Sequence, residues 1–160
     1  MRILGINALN HDAAVSVIED GNIKFAAHSE RYSRIKNDHF LNDDIMNEAL
    51  SFGKPHRVVW FEDYNLKLKR IFRTTRFSEN KKSGEYLPSG KKLKKYLSEW
   101  LGWDYKLHFN EHHESHAAAG YYTSPFDQAC VVVIDAIGEW ETVTIWFGDE
   151  NGLHKRWSRK

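Results

Sequence analysis

Two stretches, one near each end of the chain, are laid out alike, and this repetition narrows the possible folds more than any other feature. In the first, the apolar run RILGIN ends in the polar loop ALNH, and AAVSVIEDGNIKFAAHSE follows with two strands flanking Asp20-Gly21. An Asp-Gly pair between apolar runs signals a hairpin, because a tight two-residue turn needs positive φ at both positions. In the second, an apolar run from Ala129 to Asp135 ends in a polar, glycine-bearing loop. A strand from Thr142 to Phe147, a turn at GDENG and a further strand at LHKRWSR come after it. Each copy is a strand, a loop and a hairpin.

Between the copies the pattern turns helical. LNDDIMNEALSFG sets Ile45, Met46, Ala49 and Leu50 on one side and stops at Gly53. GKKLKKYLSEWLG sets Leu93, Tyr96, Leu97 and Trp100 on one stripe and stops at Gly102. RVVWFE reads as a buried parallel strand. We expect helices over Leu41–Phe52, Lys91–Leu101 and Glu111–Tyr122, a mixed sheet built from residues before Tyr122, and a second sheet opening at Ala129. Duplicated units of this kind build the two-lobed α/β folds of the actin, hexokinase and Hsp70 type (RNase H-like lobes). There the loops after each first strand face one another, and strand ends and loop N–H groups can bind an anion. Residues 1–125 are then a first lobe and 126–160 the opening strands of a second. Three strands alone leave an unpaired edge and an uncovered sheet, which predicts an N-terminal part of a larger protein.

Composition adds bounds. A chain of 160 residues can bury a sizeable core, and 14% aromatic residues argue against disorder. The single cysteine, Cys130, permits no internal disulfide. The N-terminus lacks a long apolar stretch, and no apolar run nears the ~18 residues that a membrane span needs. A cytoplasmic protein without a membrane partner is expected. The net charge of +1 hides a basic segment: Lys67 to Lys95 holds eleven Lys or Arg against Glu79 and Glu85. We read it as a solvated insertion, about 67–95, between helices. A nucleic-acid surface is the less favoured alternative, because Phe72, Phe77 and Tyr86 are too scattered to stack bases.

NEHHESHAAAGYY, from Asn110 to Tyr122, spends three of the chain's nine histidines in five residues. Asn110 can cap a helix, Glu111 and Glu114 suit its first turn, and Ala117, Ala118 and Ala119 propagate it. His112 and His116 then share a face one turn apart, the spacing of helical two-histidine metal sites, while His113 points elsewhere. A polar helix start with incidental histidines fits the same letters, and the sequence nearby offers no obvious third ligand.

Three motifs resemble one family. ILGINALNHDAAV is similar to its strand and His-Asp loop, ERYSRIK to its Glu-Arg-x-x-Arg-x-Lys, and HHESHAAAGYYTSPFDQACVVVIDAIGEWET to its HHxxHA, Ser-Pro-Phe and Asp-Gly-x-Gly-Glu run. The family is that of the carbamoyltransferases of the nodulation-protein U and tobramycin O-carbamoyltransferase type, whose first domain is Kae1-like. The resemblance implies that His112 and His116 bind a divalent metal, iron or else zinc or manganese, with a further Asp much later in the family's chain. It implies ATP and carbamoyl phosphate as substrates, giving carbamoyl adenylate in a separate YrdC-like domain. A small-molecule hydroxyl, on a sugar or natural product, then accepts the carbamoyl group. His11 and Asp12 are the implied catalytic candidates, and Asn7, Asp135, Gly138 and Glu139 the implied cofactor contacts.

Asp135 ends an apolar strand, where a cap and a metal contact are equal readings. Glu30, Arg31, Arg34 and Lys36 can bind anions or form a local ion-pair network. Ala136 stands where the family usually has Gly, and Asn37 where a His is expected. The missing C-terminal half, or YrdC-like domain, is an expected partner, and the fragment alone is expected to hold metal poorly and be inactive. Two rivals remain: a non-catalytic anion- or nucleic-acid-binding module, and a small-molecule kinase of the same superfold. Asn7 argues against the kinase, which would carry an Asp there.

Overall fold

A computed structural model describes residues 1–10, 12–74, 89–102 and 104–160. His11 and the middle of the basic segment, 75–88, lie outside the described residues. The chain runs β1 (Arg2–Asn7), β2 (Ala14–Glu19), β3 (Asn22–His28), α1 (Glu30–Ser33), α2 (Asp43–Ser51), β4 (Arg57–Trp60), α3 (Tyr64–Thr74), α4 (Gly90–Leu101), β5 (Leu107–Phe109), α5 (His112–Tyr122), β6 (Ala129–Gly138), β7 (Glu141–Asp149) and β8 (Gly152–Arg159).

The first five strands form one mixed sheet in the order β3-β2-β1-β4-β5. β1 is antiparallel to β2 and parallel to β4, and β4 is parallel to β5. This is the α/β lobe that the sequence predicts. Strand alternation places two rows of side chains on one face: Val17, Leu4 and Val58, then Val15, Ile6 and Trp60, each row paired across three strands. All six are buried. Ile45, Met46 and Ala49 of α2 and Leu93 and Leu97 of α4 cover these rows and complete the core. Both helices start on side-chain caps, Asn42 accepting from Ile45 N–H and Ser89 from Lys92 N–H. The β2–β3 turn has φ of 49° at Asp20 and 81° at Gly21, as a tight hairpin demands.

The second sheet is antiparallel, β6-β7-β8. α5 follows β5 of the first sheet but packs on the second, with Ala117 against Val133 and Trp146. Gly148 of β7 makes this approach possible, since a Cβ there would lie 2.6 Å from the Tyr121 ring.

Four expectations need correction. The start of the basic segment is not loop: Lys67 to Thr74 belongs to α3, which Asp63 caps by accepting from Asn65 and Leu66 N–H. Nor is Lys67 solvated. It is buried against Glu62, with Nζ 3.1 and 3.0 Å from the two carboxylate oxygens. Asn110 does not cap α5. Its N–H donates to the Trp60 carbonyl at the end of β4, and Glu111 takes the N-cap position without a side-chain bond. Finally, the expected loop after Asp135 is strand: β6 continues to Gly138 through a register irregularity, and Glu139, with φ of 48°, turns the chain into β7.

ERYSRIK forms the short α1 and its exit, where Glu30 pairs with Arg31 at 3.4 Å and accepts from Asn37 N–H. Among the described residues, no helix is long and apolar enough to cross a membrane.

Candidate metal centre

The N-terminus of α5 is anchored at the end of β4 before it reaches the second sheet. Asn110 N–H donates to Trp60 O, and Ser115 Oγ donates to Phe61 O at 2.8 Å. The Phe61 ring meets His112 edge-on, with centroids 5.8 Å apart. These contacts fix the first turn of α5, which presents His112 and His116 on one side and His113 on the other.

On the first side, His112 Nε2 lies 2.9 Å from Asp135 Oδ2 and 3.1 Å from His116 Nε2. The three potential donor atoms fall within 4.8 Å of one another. Asp135, on β6, supplies the third donor that the helix spacing did not reveal. Ala136, the departure from the family's glycine, is exposed and donates its N–H to Asp135 Oδ1 at 2.7 Å.

The protonation states suit a cation. Burial pushes the His112 imidazole down to about 4, so it is neutral at pH 7 and able to ligate. Burial also works against ionising Asp135, but the Ala136 N–H and His112 outweigh it, and the carboxyl sits below its ordinary range. Because Asp135 is an acceptor when ionised, the proton between it and His112 resides on His112 Nε2. A cation held at that nitrogen would need the other neutral tautomer of His112, with its proton on Nδ1. Two imidazoles and one carboxylate would suit iron, zinc or manganese.

On the other side, His113 is 1% exposed, and its Nδ1 lies 2.9 Å from Thr144 Oγ1, which also accepts from Trp146 Nε1 at 2.8 Å. His113 therefore docks α5 on β7. Gly138 lies under both rings: a Cβ there would come within 2.5 Å of His112 Cδ2 and 2.6 Å of His113 Cδ2. Gly138→Ala is expected to force α5 off the sheet, costing about 1–3 kcal/mol and weakening metal uptake. Urea unfolding and metal titration of that variant check this; unchanged values in both would overturn it.

Glu139 is buried, and its carboxylate accepts from the backbone N–H of Asp63, at the start of α3, and of His112. Burial pushes its carboxyl up to about 7. It thus ties the β6–β7 turn to the ends of two helices. Sequence reasoning had no signal for Thr144, Phe61 or Ser115, whose roles arise only from packing around α5.

The remaining predicted residues sit at the end of β1. Asn7 Nδ2 donates to the backbone carbonyl of Asp12 at 3.1 Å, and Asn7 Oδ1 is buried without a hydrogen-bond partner among the described residues. Thus His112, His116 and Asp135 come together with Gly138 and Glu139 beside them, while Asn7 and Asp12 close the loop after β1.

The sequence profile of the carbamoyltransferase N-terminus family matches residues 74–159, more than half of the chain and the whole of α5 and β6. The chain belongs to this family. As a carbamoyltransferase N-terminal domain, it is 34% identical over 179 aligned positions to an uncharacterized protein of Synechocystis sp., covering 97% of this chain and 28% of that protein. It is 25% identical over 204 positions to an uncharacterized protein of Methanocaldococcus jannaschii, covering 94% of this chain and 33% of that one. The domain therefore spans a third or less of these relatives' lengths. Among solved structures it is similar to the Aquifex aeolicus Ppx/GppA phosphatase, type II variant, with a TM-score of 0.38, 13% identity, and 99% and 52% of the two chains covered. The Aquifex aeolicus PPX-GPPA enzyme gives a TM-score of 0.42 at 16% identity, covering 99% and 51%. The assignment to an α/β lobe rests on the strand order and directions described above.

Proposed function

We propose that this domain is the N-terminal part of an ATP-dependent O-carbamoyltransferase, in which His112, His116 and Asp135 hold a divalent cation at the acyl-transfer site. The observation that carries the reading is the convergence of these three donors, from α5 and β6, in a chain of the carbamoyltransferase N-terminal family. A bound cation would offset the charge of a nucleotide phosphate. Residues 1–125 are proposed as the first lobe and 126–160 as the opening strands of a second. The C-terminal part of the polypeptide, or a YrdC-like domain, would complete the protein in the cytoplasm.

In the proposed reaction, water cleaves carbamoyl phosphate to carbamate and phosphate, and the carbamate oxygen attacks the α-phosphorus of ATP to give carbamoyl adenylate and expel pyrophosphate. A small-molecule hydroxyl then attacks the carbamoyl carbon and expels AMP. That attack needs a base for the hydroxyl proton and polarisation of the carbonyl. Asp12 remains the proposed base candidate together with His11, and Asn7 a proposed contact of the nucleotide. His112, beside Asp135 and His116, is proposed to hold the cation rather than to act as the base.

The full-length protein, incubated with ATP and carbamoyl phosphate, is expected to release pyrophosphate only when both are present, and AMP when a hydroxyl acceptor is added. Chelation is expected to suppress AMP release. Pyrophosphate release that ignores carbamoyl phosphate would count against this function.

A further inference from the structure

A groove lies at the other end of the first sheet. It opens where Lys54 and His56 lead into β4 and where Tyr105 and Lys106 lead into β5, and Lys94 of α4 lines its side. The metal helix starts beyond the opposite ends of the same strands, ~13 Å away for a four-residue strand. The open groove has a volume of about 820 Å³ and adjoins a second hollow of about 440 Å³ that shares Lys54 and Tyr105 and reaches Trp100. A volume of this order suits a small molecule.

Its two halves differ in chemistry. One is cationic, with Lys54, Lys94 and Lys106 around a histidine whose tautomer is fixed. His56 Nδ1 accepts the backbone N–H of Arg2 at 3.0 Å, so the ring's proton sits on Nε2 and His56 is a donor. Among the described lining residues the single acid, Asp104, is fully exposed and lies 3.5 Å from Lys54. The other half is aromatic. Tyr105 is held by its hydroxyl, which donates to Lys94 O at 3.4 Å, and Trp100 by its indole N–H, which donates to Asp43 Oδ1 at 2.8 Å. Lys94 Nζ stands 5.4 Å from the Tyr105 ring centroid, at the border between the halves.

We propose that this groove binds a small-molecule phosphomonoester with an aromatic body. Three ammonium groups and an imidazole N–H, with no guanidinium among the described lining residues, suit a phosphate dianion better than a planar carboxylate, which arginine pairs with two parallel bonds. Tyr105 and Trp100 suit a flat apolar body. The site stands apart from the metal centre, and neither reading depends on the other.

Phenyl phosphate is the probe, titrated into the full-length protein by calorimetry, with NMR shifts locating it. Saturable binding at about 1 mM or tighter is expected. Inorganic phosphate should bind at least tenfold more weakly, and benzyl alcohol should not saturate. Lys94→Ala combined with Lys106→Ala should weaken phenyl phosphate at least tenfold, steeply with salt, and leave metal uptake unchanged. Tyr105→Leu should weaken phenyl phosphate but not inorganic phosphate. The proposal is overturned if phenyl phosphate fails to saturate, if the double lysine variant binds it normally, or if His112→Ala abolishes its binding. A phosphotyrosine peptide binding tenfold tighter than phenyl phosphate would overturn the assignment to a small molecule.

Discussion

His116→Ala and His112→Ala, each alone, are expected to lower the affinity of the full-length protein for a divalent metal by more than the roughly 10–100-fold that loss of an outer-shell partner costs. The geometry leaves no substitute among the described residues: His112, His116 and Asp135 are the one group of three or more His, Cys or carboxylate donors that converges there. Asp135→Asn keeps an oxygen in place but removes the charge, so a loss of similar size is expected. His113→Ala makes the contrast. Its ring turns away from the cluster, and its Nδ1 is taken by Thr144. That variant should keep metal occupancy but lose about 2–4 kcal/mol of stability, from the cavity and from the hydrogen bond lost to Thr144. Calorimetric titration with zinc or manganese separates the two behaviours. Full occupancy in both single variants, His112→Ala and His116→Ala, would end the assignment.

What could be read in the sequence was local. The β2–β3 hairpin was legible because Asp20-Gly21 carries its own conformational instruction. α2 and α4 were legible because their apolar stripes and the glycines that stop them lie within about a dozen residues. The His112–His116 pair was legible because one helical turn sets its spacing. α3 was not, because its helix-forming residues read as a charge run, and burial of Lys67 depends on Glu62 and on the fold that closes over both. The third donor was legible only as a candidate. Asp135 and His116 meet because α5 lies across β6, which no spacing along the chain encodes.

Gly138 and Glu139 show the same limit from the other side. The family motif marks both, and a glycine followed by an acid beside a metal suggests contact with a cofactor. In the structure Gly138 is a gap that two imidazole rings need, and Glu139 is an acceptor for two helix-end N–H groups. Both bear on the position of α5. Packing around α5 thus gives both residues a structural role in addition to the cofactor contact that the family motif implies.

Glu139→Gln is expected to change how stability depends on pH. In the metal-free protein two buried groups pull in opposite directions. Glu139 ionises near 4.5 when unfolded and at about 7 when folded. The folded state therefore holds the extra proton over that window, and stability falls as pH rises from about 4.5 to 7. His112 titrates near 6.5 unfolded and at about 4 folded. There the unfolded state holds the extra proton, so stability rises as pH rises from about 4 to 6.5. Each shift is worth up to about 3 kcal/mol. Between pH 4.5 and 6.5 the two slopes nearly cancel, and these groups leave the wild-type profile flat. Removing the carboxyl at 139 leaves only the histidine's slope: Glu139→Gln should lose up to about 3 kcal/mol between pH 6.5 and 4. The slope, not the absolute stability, is the test, because glutamine accepts fewer of the N–H bonds that the carboxylate holds. Urea midpoints at half-unit steps of pH, with chelator present, give the two profiles. Parallel curves for the two proteins would show that Glu139 is not the group that opposes His112.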